Sequence, residues 1–254
     1  MPRPSIDFSQ FEDVSYEAFR RRALDPTLSD HEKVGFPDLY REGKEAAIFA
    51  DISSKLDRLD LRDLLVIDIG PGCGPLARLM MAHCERQGHQ LVQIDSPEML
   101  ALLPAAPRTT QIAGRFPDEC EELLRERRGR ADCVLAYGVL SSVFEDGNVF
   151  DFVDRSLELL APSGQLLLAD VPNVSKRKRF FASDAGRRFH EDFMGSSVPL
   201  DVRFNVLEPG ALDDAVILGL IARCRAAGFD AYVLPQAEGL PFSNRREDIL
   251  VTRS

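Results

Sequence analysis

Between Leu64 and Asp170 short apolar runs alternate with stretches of helical periodicity. LLVIDI, QLVQID, TTQIAG, ADCVLAYG and QLLLAD read as strands. PLARLMMAHCERQG, SPEMLALL, DECEELLRERRG and NVFDFVDRSLELLA, lying between them, read as helices. Strands that are apolar along their whole length need cover on both faces. This order therefore predicts a mostly parallel sheet between two helical layers. Local signals agree: Gly88 stops the first of these helices, while Ser96 can cap the second with Pro97 at its first position. The rhythm breaks over 171–213, which shows no clean strand before the helix DDAVILGLIARCRAAG. DAYVLP and EDILVTR follow with no helix between them, so they must pair antiparallel across the long loop QAEGLPFSNRR.

A chain of 254 residues can hold one large α/β domain or a domain with a small cap. The apolar run VILGLIA breaks after seven residues, short of the roughly 18 a membrane helix needs. No apolar signal core follows Met1, so a cytoplasmic location is expected. Five cysteines without a CxxC pair suggest reduced thiols, and the four histidines show no metal-ligand spacing, so no metal is expected. A net charge of −10 argues against a surface built to embrace nucleic acid. The segment 172–190 departs from that balance, with six Lys or Arg and one Asp. It reads either as an anion site or as a solvated basic loop.

The sequence VIDIGPGCGPLARLM joins the first strand to its helix. Glycines there let a backbone approach a ligand and aim helix N–H groups at it. Gly70, Gly72 and Gly74 alternate, and Pro75 stands where the dinucleotide fingerprint GxGxxG would place its third glycine. Asp95 closes the second strand 21 residues after Gly74, where a carboxylate can accept from two ribose hydroxyls. The plainer alternative is that Asp95 merely precedes a helix cap.

DIGPGCG followed by QIDSPEML resembles the class I S-adenosylmethionine-dependent methyltransferases, over roughly 60–253. The resemblance implies a Rossmann-like α/β fold, with a seven-stranded, mostly parallel sheet and a C-terminal antiparallel hairpin. It divides the chain into an N-terminal helical arm or lid (1–59) and a cofactor-binding core (60–254), with an acceptor-cap insertion at 171–213. It implies S-adenosylmethionine as cofactor and S-adenosylhomocysteine as product. Gly70, Gly72, Gly74 and Asp68 would surround the methionine part, and Asp95 the ribose. Ser96 or Met99 would lie near the adenine, with Gly114, Arg115 and Phe116, for which a surface turn is the alternative. Tyr137 and Gly138 would lie beside the sulfonium. YREGKE, DVPNVSKRKRFF and LPFSNRREDIL are also similar to methyltransferases of bacterial surface-polysaccharide biosynthesis.

Methyl transfer from a sulfonium needs alignment more than a dense catalytic motif. A base is required only for a hydroxyl or protonated amine, and His190 or Tyr137 are the candidates. A small anionic acceptor, phosphorylated or sugar-linked and most simply O-methylated, would meet Asn173 and Lys176, Arg177, Lys178 and Arg179. Tyr40, Arg41 and Lys44 would face the site from an arm folded over the cofactor, or else belong to a packing arm with exposed charges. Arg245, Arg246 and Glu247 edge the same mouth or form an ordinary charged turn. Two rival readings remain open at this point. One is an NAD(P)-dependent oxidoreductase; the other is an inactive protein of the same fold, binding RNA through SKRKR or another ligand.

Overall fold

The computed structural model describes residues 11–194, 200–206 and 208–254. Seven strands form one sheet in the order β3-β2-β1-β4-β5-β7-β6. They are β1 (Leu65–Ile69), β2 (Gln90–Asp95), β3 (Thr109–Ala113), β4 (Ala131–Tyr137), β5 (Leu160–Pro172), β6 (Asp230–Pro235) and β7 (Arg246–Thr252). β1 to β5 run parallel, and β7 is antiparallel to both β5 and β6. The last strand therefore inserts inside β6, and the hairpin closes one edge of the sheet.

Four helices precede the sheet: α1 (Tyr16–Leu24), α2 (Asp30–Lys33), α3 (Asp38–Arg41) and α4 (Glu45–Lys55). The crossovers carry α5 (Pro75–Gln87), α6 (Pro97–Leu100), α7 (Glu121–Arg127), α8 (Leu140–Asp146) and α9 (Val149–Leu159). α10 (Val174–Ala182), α11 (Asp184–Met194) and α12 (Asp214–Ala226) follow β5. Gly88 ends α5 in a left-handed conformation, and Ser96 caps α6 through the Met99 N–H, as their residue types predict. The periodicity of REGKEAAIFADISSKLDRLD predicts a helix over 41–60, but α4 covers only Glu45–Lys55, and the chain then makes a 3-10 turn over Asp57–Asp60.

Alternate strand residues reach opposite faces, and both faces are apolar. Ile67 and Val134 pack into the core that holds Phe152 and Leu220. Val66 and Cys133 pack into the core that holds Ile48, Ile52 and Met80. This explains why the strands read as unbroken apolar runs. All five cysteines are buried and unpaired. No described helix is long and apolar enough to cross a membrane. Between β5 and α12 the described chain is largely helical rather than loop, with α10 and α11 packed together, the aromatic rings of Phe180, Phe181 and Phe189 meeting edge to tilted. Residues 195–199 and 207 of that stretch lie outside the described residues, as do 1–10 of the N-terminal arm.

The chain crosses from β1 outward to β2 and β3, then returns to β4 on the other side of β1. The crevice beyond the strand ends at such a switch point is where open α/β sheets bind ligands. Every segment discussed below converges there.

Candidate active site

Two cavities meet at this crevice. The first is built on the turn after β1. Gly70 and Gly72 have φ of +68° and +64°, a region that favours glycine, and a Cβ on Gly72 would stand 2.5 Å from Val34 Cγ1. The Gly70 N–H donates to the Ile94 carbonyl (2.8 Å), and the Gly72 N–H donates to Asp95 Oδ2 (2.9 Å). Asp95 Oδ1 accepts from the Ser96 N–H (2.7 Å). Each carboxylate oxygen therefore keeps acceptor capacity, and Asp95 lies on the cavity wall. Burial raises its pKa to about 6, against the lowering effect of the two backbone N–H groups.

Gly70, Gly72, Gly74, Met99, Gly114, Arg115, Phe116, Tyr137 and Gly138 share that wall. Asp68 and Ser96 do not. Ser96 is buried in its capping role. Asp68 is buried on β1 with no side-chain hydrogen bond among the described residues, and burial, then the Asp95 charge, push it up to about 7. The surface-turn alternative for Arg115 and Phe116 is corrected. Phe116 is buried edge-on against Phe152, and Arg115 pairs with Asp146 (2.6 Å) beneath the Tyr16 ring.

The N-terminal helices supply the rest of the first wall. His31 bridges Asp38 (2.8 Å) and Glu45 (2.5 Å), tying α2, α3 and α4 together. His31 and Glu45 both line the cavity, and neither was expected from the sequence. Their partners come from three short segments with no shared motif. Arg41 is buried. Its Nη1 donates to the Tyr137 hydroxyl (2.7 Å), its Nη2 donates to Asp170 Oδ2 (2.6 Å), and its guanidinium lies 3.8 Å above the Phe36 ring. Its Nε has no hydrogen-bond partner among the described residues.

Asp170 joins the two cavities. It lies within an irregularity in the β5–β7 ladder between Leu168 and Val171, and its φ is +59°. Fully buried, it accepts from Arg41, from Arg246 and from Gln236 Nε2 (3.1 Å). Burial alone would raise its pKa; the Arg246 and Arg41 charges outweigh burial and hold it below the usual carboxylate range. Tyr137, in contrast, is pushed up by burial and by the Asp170 charge, which disfavours the phenolate a base would need.

The second cavity encloses about 800 Å³ between α3, α10, α11 and the loop before β7. Tyr40, Arg177, Lys178, His190, Phe242, Arg245 and Arg246 line it, and Phe36 lines both cavities. The helical turn of α10 splits the expected cation cluster. Arg177 and Lys178 face the cavity but share Glu208 (2.7 and 2.9 Å). Lys176 lies off the wall and donates to the Arg246 carbonyl (2.7 Å), and Arg179 forms a two-pronged pair with Asp214. Asn173 accepts from the Ser175 and Lys176 N–H groups as the cap of α10 and donates to Asp214 and Glu247, so both ends of its amide are structural. Lys44 is exposed before α4 and reaches neither cavity. These four residues are corrected from ligand contacts to scaffold or surface. Because Lys176 to Arg179 answer carboxylates of the chain itself, an RNA surface at SKRKR loses its basis too. His190 lies beside Phe181 (6.4 Å between ring centroids) with no polar partner among the described residues.

No protein-family model matches the chain, and no curated protein matches its sequence. Solved structures do match in shape. The plantazolicin methyltransferase BpumL, in complex with S-adenosylhomocysteine, aligns with a TM-score of 0.56 at 12% identity, covering 94% of this chain and 96% of its own. The CurJ carbon methyltransferase aligns at 0.55 and 16% identity, over 96% of this chain and 66% of its own. An S-adenosylmethionine-dependent methyltransferase by name, from Methanococcus maripaludis, aligns at 0.51 and 15% identity over 100% and 97%. The fold is thus the Rossmann-like methyltransferase fold. None of these names concerns surface polysaccharides.

Proposed function

We propose that the chain is an S-adenosylmethionine-dependent methyltransferase, with the cofactor in the first cavity and a small-molecule acceptor in the second. The observation that carries this reading is Asp95. Its carboxylate pins the glycine turn through Gly72, lines the same cavity and keeps acceptor capacity on both oxygens. Other features of the wall fit the cofactor's remaining charges. The backbone at Gly70 and Gly72 leaves no room for side chains. Behind the wall, Asp68 is a buried carboxyl without a hydrogen-bond partner among the described residues, suited to the cationic methionine end. The unpartnered Arg41 Nε suits the methionine carboxylate.

The chemistry S-adenosylmethionine supplies is an electrophilic methyl group. The chain's part is to align the acceptor and exclude water. α1 to α4 act as the lid, closing over the glycine turn through Val34. Arg41 holds Tyr137 and Phe36 at the junction of the cavities. His190, on the second wall without a carboxylate partner, is the candidate base for a hydroxyl acceptor. The oxidoreductase reading is not favoured, because the GxGxG spacing and the terminal hairpin both depart from it. The expected surface-glycan substrate draws no support from the structural neighbours. Its anionic character is retained here on other residues than 176–179.

Calorimetric titration tests the reading. S-adenosylhomocysteine should bind with micromolar affinity and NAD should not. Asp95→Ala should weaken S-adenosylhomocysteine by about 100-fold, the loss of two hydrogen bonds to a charged acceptor. Tight NAD binding, or an Asp95→Ala affinity equal to the parent's, overturns it.

A further inference from the structure

The wall of the second cavity carries five cationic side chains, and four of them have partners. Arg177 and Lys178 share Glu208, Arg203 pairs with Asp201, and Arg246 pairs with Asp170. Arg245 is the exception. Half-buried, it has no carboxylate within ion-pair distance among the described residues, and its buried Nε has no hydrogen-bond partner. Its guanidinium lies between aromatic faces, 4.5 Å from the Phe242 ring centroid and 5.9 Å from that of Phe181. Burial, and then the neighbouring Arg246 charge, lower its pKa to about 10. A cation in that position is stabilised by an anion the chain does not itself provide.

The aromatic side of the cavity is equally specific. Phe242 holds a φ of +62°, which is an outlier for a bulky residue and a feature that clusters at ligand sites. Its ring stacks on Tyr40 at 4.9 Å and on Phe36 at 6.1 Å. The strained residue thus gathers aromatic faces beside the unpaired cation, in a space of the size that holds small ligands.

We infer that the second cavity takes a planar-ring ligand bearing a carboxylate or phosphate, with Arg245 holding the anion and Phe242, Tyr40 and Phe36 packing on the ring. That this ligand is the methyl acceptor rests on the proposed function; the ligand class itself does not. With the anion at Arg245, the far edge of the ring points to Phe36, the residue shared with the cofactor cavity.

The test uses the full chain, with and without saturating S-adenosylhomocysteine, and four probes followed by saturation-transfer NMR and calorimetry. The probes are benzoate, phenyl phosphate, inorganic phosphate and benzyl alcohol. One or both aryl anions should bind at least about tenfold more tightly than inorganic phosphate and benzyl alcohol. Which of the two wins assigns the anion as carboxylate or phosphate. Arg245→Ala should weaken the aryl anion at least about tenfold, with Arg245→Lys in between, while S-adenosylhomocysteine affinity stays at the parent value. If Arg245→Ala fails to fold, Arg245→Gln makes the same comparison. Equal binding of inorganic and phenyl phosphate, aryl-anion binding unchanged in the Arg245 variants, or no aryl-anion binding at all each overturns the inference. Aryl-anion binding without S-adenosylhomocysteine binding instead sinks the methyltransferase reading and leaves this site standing.

Discussion

The two cavities are built in opposite ways. The floor of the first is backbone: glycine turns at the ends of β1, β3 and β4, beside Asp95 at the end of β2 and beneath side chains of the N-terminal helices. The second is mainly long side chains drawn from distant parts of the chain: Phe11, 35–40, 177–190, 200–206, Glu208 and 242–246. A backbone cradle tolerates little variation, because its shape is set by φ and by the absence of Cβ atoms. A cavity walled by guanidinium groups and rings can be retuned by single substitutions. The contrast suits a conserved chemical donor on one side and a particular acceptor on the other.

Asp170 is the place where this contrast can be broken outright. Asp170→Ala leaves Arg41 and Arg246 without their shared carboxylate, and removing one partner of a buried pair costs about 3–5 kcal/mol. For a chain of this size that lowers the melting temperature on the order of 10 °C. It should also weaken both S-adenosylhomocysteine and aryl-anion binding. Thermal unfolding and the two titrations check this; damage confined to one cavity would show that they are not joined through Asp170.

Asp68→Asn sharpens the first cavity alone. The Asp68 carboxyl keeps its proton up to about pH 7, whereas in the unfolded chain it is lost near 3.8, the ordinary value for an aspartate. Its folded pKa is raised, so stability falls as pH climbs through that window and levels off above pH 7. The ligand-free Asn variant should match the parent near pH 4 and melt a few degrees higher at pH 8. Its affinity for S-adenosylhomocysteine should nevertheless drop. A variant whose advantage is the same at both pH values would refute this account of Asp68.

The smallest effect is expected at Arg179, exposed on Asp214 and off the second wall. Surface pairs contribute about 0–1 kcal/mol, so Arg179→Ala should leave melting temperature and aryl-anion affinity nearly unchanged. A tenfold loss of affinity would return anion recognition to the basic helix.

The same contrast governs what the sequence revealed. β1 to β5, the terminal hairpin and the Gly70–Asp95 geometry were legible, because periodicity, caps and glycine spacing are local signals. α8, α10 and α11 went unread; in α10 the charge-rich run SKRKRFF carries little apolar periodicity. Charge density marked Lys176 to Arg179, yet density cannot show that Glu208 and Asp214 return from 30 or more residues downstream to meet them. Arg245 was marked at the mouth of the site, but its isolation, like the His31 bridge, was invisible for the same reason: each is defined by partners present or missing in space, not in sequence.

Asp170 and Asp248 also bear on the order of folding. Arg41 reaches Asp170 across 129 residues, and Lys55 reaches Asp248 across 193. Asp248 also accepts the Asp170 N–H. The helices that cover the glycine turn are thus clasped by β7, the strand formed latest in the sequence. Contacts that close such long loops form late. The central parallel strands can assemble while the first helices are still undocked, and the cover locks only when β7 slides between β5 and β6.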